Sequence, residues 1–178
     1  LKTRRIVIVS LLLVLVAAIG AVLIYVPVAE NTAKKICEKY IAIFSKRAIP
    51  PEYCLENENL TMDEQTLNNL IDSICGDMKA ADIMTNNGFQ RFRDSVIREF
   101  QRQADKKYTV SSCEMKIKGW HGFKFLSIDT IQITASVERQ QAIYCQNGGK
   151  IERDYLSDCT IDDITITLKL VSGSWKIV

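Results

Sequence analysis

Residues 164–177, ITITLKLVSGSWKI, decide the fold class. Ile164, Ile166, Leu168 and Leu170 alternate with threonine and lysine, the period of a strand with one buried face. Ser172-Gly173 then turns the chain into Trp175-Lys176-Ile177-Val178, a second short strand. Two adjacent strands of this kind need a core beneath one face, and the rest of the chain must supply it.

Towards the N-terminus the same period recurs. Residues 151–159 read as a strand, with Ile151, Arg153 and Tyr155 on one face. Asn147-Gly148-Gly149 is a hairpin signal. Residues 123–145 alternate, most clearly at Ile131, Ile133, Ala135 and Val137. Tyr108, Val110 and Ser112, then Met115 and Ile117, alternate too, and Gly119-Trp120-His121-Gly122 reads as the turn that follows them.

Before Lys107 the period is helical. Phe89, Phe92, Val96, Ile97 and Phe100 form one stripe, after an Asn86-Asn87-Gly88 turn signal. Leu67, Leu70, Ile71 and Ile74 form another, in a helix to about Met78 that Gly76 frays. Thr61-Met62-Asp63-Glu64 has the form of a capping box with Thr61 as the cap. A first helix over 30–47 carries Ile36, Cys37, Tyr40, Ile43 and Phe44 on one side, and Ile49-Pro50-Pro51 ends it. Helices first and a strand meander afterwards predict an α+β domain. About three helices pack on one face of a curved antiparallel sheet of four to five strands.

Residues 6–28, IVIVSLLLVLVAAIGAVLIYVPV, carry no charge. A 23-residue helix spans roughly 34 Å, enough for a hydrocarbon core of about 30 Å. Lys2, Arg4 and Arg5 precede it, which predicts a cytoplasmic tail over 1–5, a transmembrane helix over 6–28 and an extracytoplasmic domain over 29–178 at the cell membrane. Pro27 would kink the join or mark the interface. The rival reading is a signal peptide cut near Ala18-Ile19-Gly20. That cut would leave AVLIYVPV as a new apolar terminus, so an uncleaved anchor is the expectation.

The chain has 178 residues and a net charge of +2. Setting aside the three basic residues of the tail leaves 20 basic against 21 acidic, a net charge of −1. That balance argues against a nucleic-acid partner. Six cysteines, Cys37, Cys54, Cys75, Cys113, Cys145 and Cys159, all fall after the apolar run. In an extracytoplasmic domain an even count predicts disulfides. Six thiols allow fifteen pairings. The expectation from sequence neighbours is Cys37–Cys54, Cys75–Cys113 and Cys145–Cys159. No CxxC spacing occurs and His121 is the only histidine, so no metal is expected.

The first-helix pattern Ala33, Ile36, Tyr40, Phe44, the alternating stretch 128–145 and the ending at Trp175-Lys176-Ile177 together resemble the nuclear transport factor 2-like superfamily. The resemblance covers residues 30–178 by order of elements. It implies a cone-shaped α+β fold, typically with a strand among its helices. That fold hosts enzymes and binders alike. Membrane-anchored members include assembly subunits of conjugation and type IV secretion machines, and small extracytoplasmic domains of Gram-positive bacteria. Its isomerases and cyclases place an Asp and a Tyr inside the cone. Here Tyr40, Tyr108, Tyr144 and Tyr155 are candidates, and no Asp matches that role.

No catalytic motif stands out, and no cofactor is expected. His121 is the only imidazole base available. Asp162-Asp163 and Asp154 with Asp158 are acidic pairs near strand ends. Arg91, Arg98 and Arg102 form a basic helix face that would suit an anionic surface. Trp120, Phe123 and Phe125 would suit a protein partner, self-association or the bilayer. Asn59-Leu60-Thr61 fits a glycosylation pattern. The expectation is a membrane-anchored extracytoplasmic interaction or scaffold module, of which a subunit of a secretion- or conjugation-type envelope machine is one form. The alternative is a cone that binds or converts a small molecule.

Overall fold

The computed structural model describes residues 2–48, 63–105, 108–147, 150–154 and 159–178. Within them, three α-helices precede five strands. The helices are α1 (Lys2–Phe44), α2 (Glu64–Ala81) and α3 (Asn86–Asp105). The strands are β1 (Tyr108–Ser127), β2 (Thr130–Asn147), β3 (Lys150–Asp154), β4 (Cys159–Val171) and β5 (Ser174–Ile177). The fold is the expected α+β class.

The apolar run and the first domain helix are one element. Its 43 residues form a helix about 64 Å long. The expected join at Pro27 is absent, because Pro27 lies inside the helix. Proline there deprives only the Leu23 carbonyl of its N–H partner, and flanking turns hold the helix on either side. From Leu11 to Ile24 the apolar side chains are exposed. From Ala29 onward one face is buried, through Ala33, Ile36, Cys37 and Ile41. A 3₁₀ turn at Ser45–Arg47 closes the element.

Three other expectations change in register. The cap of α2 is Asp63, whose carboxylate accepts from the Thr66 backbone N–H at 2.9 Å. A carboxylate there also meets the positive helix end, and Thr61 lies outside the described residues. Gly76 does not end α2, which runs on to a left-handed cap at Asp82. Asn86-Asn87-Gly88 opens α3 instead of making a turn, with the Gly88 N–H donating to the Thr85 hydroxyl at 3.1 Å.

All strand pairings are antiparallel, in the order β1-β2-β4-β5, with β3 also paired to β2. Gly119–Gly122 is not a turn. β1 runs straight through it, with register shifts between Ile117 and Gly119 and between Trp120 and Gly122. Glycines in a strand often mark bulges, and bulges bend the strand. The β1–β2 reversal comes later, at Ser127–Thr130. Strand β4 starts at Cys159, before the clean alternation begins. Ser172 and Gly173 have φ of 50° and 81°, the paired positive values of a tight hairpin turn. Between α2 and α3, Met84 makes a single parallel bridge to Ile177.

The inner face of β2 presents Ile131, Ile133, Ala135 and Val137, all nearly inaccessible. They meet Ile74 and Met78 of α2, Phe92 and Val96 of α3, and Leu168 of β4 in one core. Each large aliphatic buried in this way contributes about 1.5–3 kcal/mol.

Candidate functional site

The sheet has two ends. One carries the Ser127–Thr130 and Val171–Ser174 reversals, and Leu170 N–H donates to the Asp129 carbonyl between them at 2.8 Å. At the other end β1 begins and the last turn of α1 arrives.

At the first end β1 runs beside α1. Trp120, Phe123 and Phe125 pair with Ala135, Ile133 and Ile131, so they share the inner face. All three are half-buried and pack against the core. The Lys34 ammonium stands 5.8 Å from the Trp120 ring centroid. Phe125 stacks on Tyr25 with centroids 5.8 Å apart, and Phe123 meets Phe125 edge-on at 5.4 Å. A cleft of about 260 Å³ opens beside them, lined by Glu30, Lys34, Trp120, His121, Gly122, Phe123 and Ile133. The three aromatics thus line one side of α1 between Tyr25 and Lys34.

On the outer face, His121 meets Ser136 and Asp163. His121 Nε2 lies 2.5 Å from Ser136 Oγ and 3.4 Å from Asp163 Oδ1. Ser136 Oγ lies 2.6 Å from the same Asp163 oxygen and donates to it. These residue types make a hydrolase triad only when the imidazole takes the serine proton and the carboxylate holds the other ring nitrogen. Here one nitrogen faces both partners and the hydroxyl points at the acid. The group is an exposed polar cluster, with His121 and Asp163 more than half accessible.

The far end holds a cluster the sequence reading passed over. Arg47 is only 9% exposed. Its guanidinium lies over the Phe44 ring at 3.9 Å and beside the Cys113 thiol. Burial, and then the nearby Arg139 guanidinium, push Arg47 below the usual arginine range. Arg139 reaches Asp162 at 3.5 Å, and its Nε is buried without a hydrogen-bond partner. Glu99 accepts from Arg102 at 2.6 Å and from Gln103 at 3.3 Å. Buried Gln103 in turn accepts from the Val110 N–H at 3.0 Å. A signal existed. Arg47 continues the stripe of Ile36, Tyr40 and Phe44, and Arg139 continues the alternation of Ile131 to Val137. A cation on an apolar stripe marks the point where the core gives way to a polar mouth.

Beside this mouth a cleft of about 500 Å³ is lined by Ser112, Cys113, Glu114, Gln140, Gln141, Ala142, Arg153 and Cys159. It lies where β2 exchanges one partner for another, pairing β4 up to Gln140 and β3 from Ile143.

The disulfide expectation is corrected. Cys37, Cys75, Cys113 and Cys159 are free thiols, so none of the three expected pairs forms. Cys54 lies outside the described residues. Sequence neighbours among these cysteines fall on different layers: Cys75 is buried on α2, and Cys113 lies on β1 against Arg47. Burial, with Glu38 adding to it, pushes the Cys37 thiol up to about 12.

Arg91, Arg98 and Arg102 lie exposed along α3, and Arg102 is paired to Glu99. Helix α3 starts beside Ile177 and ends beside Tyr108 and Val110, so the three arginines are spread between the two ends of the sheet. Of the tyrosines, Tyr40 stacks on Phe44 at 5.6 Å and meets Phe92 edge-on. Tyr155, Asp158 and Asn59 to Thr61 lie outside the described residues. Among the described residues no group of three His, Cys, Asp or Glu side chains could hold a metal ion.

No protein-family model matches the chain, and no curated relative matches it. Two solved structures are similar to it. One is the intermembrane space region of chloroplast protein ARC6, 10% identical with a TM-score of 0.41, covering 83% of this chain and 91% of that one. The other is an NTF2-like protein of unknown function from Prochlorococcus marinus. It is 15% identical with a TM-score of 0.25, covering 44% of this chain and 52% of that one.

Proposed function

We propose that this chain is a single-pass membrane protein whose outer α+β domain, over 29–178, docks protein partners at the cell envelope. The observation that carries this reading is the two-part exposure of α1. Its apolar side chains from Leu11 to Ile24 stand clear of the domain, and the same helix is buried from Ala29 onward. Apart from half-buried Gly20, every residue from Leu11 to Tyr25 is exposed; such an apolar stretch needs a covering medium, and the whole run 6–28 is long enough for a bilayer. Lys2, Arg4 and Arg5 before the run support a cytoplasmic side for residues 1–5.

An interaction role fits the domain better than a ligand cone. The space between helices and sheet is filled by Ile74, Met78, Val96, Ile131, Ile133 and Leu168. The clefts described above open at the surface, and the polar one at the far end faces away from the apolar segment. Its lining residues Ser112 and Gln140 carry both donors and acceptors, and Glu114 adds a carboxylate. The order of elements supports a nuclear transport factor 2-like domain, and a subunit of an envelope machine is the role this layout suits.

The test is extraction of tagged full-length protein in mild detergent at native expression, with mass and co-purifying chains read by mass spectrometry. A stoichiometric membrane complex is the expected result. A lone monomer would overturn the docking role.

A further inference from the structure

The β1–β2 reversal lies beyond Trp120, Phe123 and Phe125, on the side of the apolar segment. Along β1, Trp120 stands against Lys34 and Phe125 against Tyr25. Five strand residues cover about 16 Å and nine helical residues about 13 Å, so β1 descends almost alongside α1. From Phe125 to Ile128 the strand and its turn extend up to about 10 Å further. That takes the tip below the level of Tyr25, which itself lies inside the apolar run 6–28.

The tip is apolar and uncovered. Ile128 is 89% exposed and Leu126 52%, while Val171 of the neighbouring β4–β5 reversal is exposed as well. Its polar groups are occupied within the turn. Asp129 accepts from Ser127 at 2.6 Å and from Thr130 at 3.0 Å, and Lys169 lies 3.8 Å away. Exposed Lys124 and Lys169 sit just above, where anionic headgroups would meet them.

We propose that Leu126 and Ile128 insert into the outer interface of the same bilayer that α1 crosses. This second, shallow contact holds the domain at a set tilt. The inference rests on the reading of α1 as the membrane span. Burial of a few apolar side chains to a depth of roughly 5–10 Å is what interfacial segments achieve, and the anchor removes the entropic cost of reaching the surface.

The experiment places a fluorescent amino acid at one of three positions of the full-length protein in vesicles of phosphatidylcholine and phosphatidylglycerol. The positions are Leu15, Ser127 and Cys159. Lipids brominated near the top of the acyl chain report depth. The expected result is quenching by about twofold at Ser127, with none at Cys159 and with deep-brominated lipid quenching Leu15. The pair Leu126→Asp and Ile128→Asp should abolish quenching at Ser127 and leave Leu15 unchanged. Quenching at Leu15 without quenching at Ser127 overturns the tip contact alone. No quenching at Leu15 overturns the span, and the tip contact with it.

Discussion

The Ser136 hydroxyl donates its hydrogen bond to Asp163, 2.6 Å away, and presents its oxygen to His121. A nucleophilic serine needs the reverse arrangement. A fluorophosphonate probe is therefore expected to leave Ser136 unlabelled. Ser136→Ala should shift stability by no more than about 0.5 kcal/mol, as for an ordinary surface change. Labelling that disappears in Ser136→Ala would show that the hydroxyl swings to the imidazole in solution.

Gly88 sits where the first turn of α3 meets the last strand. A Cβ at this position would stand 2.5 Å from the Ile177 carbonyl oxygen. That oxygen also accepts from the Thr85 N–H at 2.8 Å, so it has no room to retreat. Gly88→Ala should cost about 1–3 kcal/mol, in the range of overpacking. Thermal melts of the full-length protein in detergent would measure it. Gly76→Ala is the control. Its Cβ would meet nothing within 4 Å, and an exposed helical glycine replaced by alanine should raise the melting point.

Cys37 links stability to alkaline pH. Its ordinary value of 9.0 is pushed up to about 12 by burial on the α1 face. A group whose folded value is the higher one gives its full stabilisation below the unfolded value. That stabilisation is lost as pH rises from about 9 towards 12, when the unfolded chain releases a proton the native state retains. Cys37→Ala should flatten the alkaline fall in denaturant midpoint over that window. In the native protein near neutral pH, maleimide should modify exposed Cys159 first and reach Cys37 and Cys75 only on unfolding.

The sheet was readable because each strand has one wet face. Ile131 to Val137 and Ile164 to Leu170 alternate as a half-buried strand must, and their observed partners follow that phase. Glycine misled in both directions. Gly119 and Gly122 resemble a turn locally, and only their pairing with Ser136 and Thr134 shows them to lie within one strand, next to the register shifts at Lys118 and His121. Gly88 looks like loop punctuation, and its actual reason is a carbonyl eighty-nine residues later in the chain. Long-range contacts of this kind leave no local pattern. The disulfide expectation failed for a related cause, since neither the count of cysteines nor their order tells which layer each thiol joins. At the candidate site, the aromatic trio was visible as a cluster. The Arg47 and Arg139 mouth was visible only as two cations in phase with apolar stripes.

Because one unbroken helix serves both the apolar segment and the domain core, the two parts share a rotational phase. Each residue turns the helix by about 100° and advances it by about 1.5 Å. The number of residues between Leu23 and Ala33 therefore sets which side of the α+β domain faces which side of the apolar segment. A twist applied at the N-terminal end of α1 would arrive in the domain as a swing of the far-end cleft, with α1 as crankshaft.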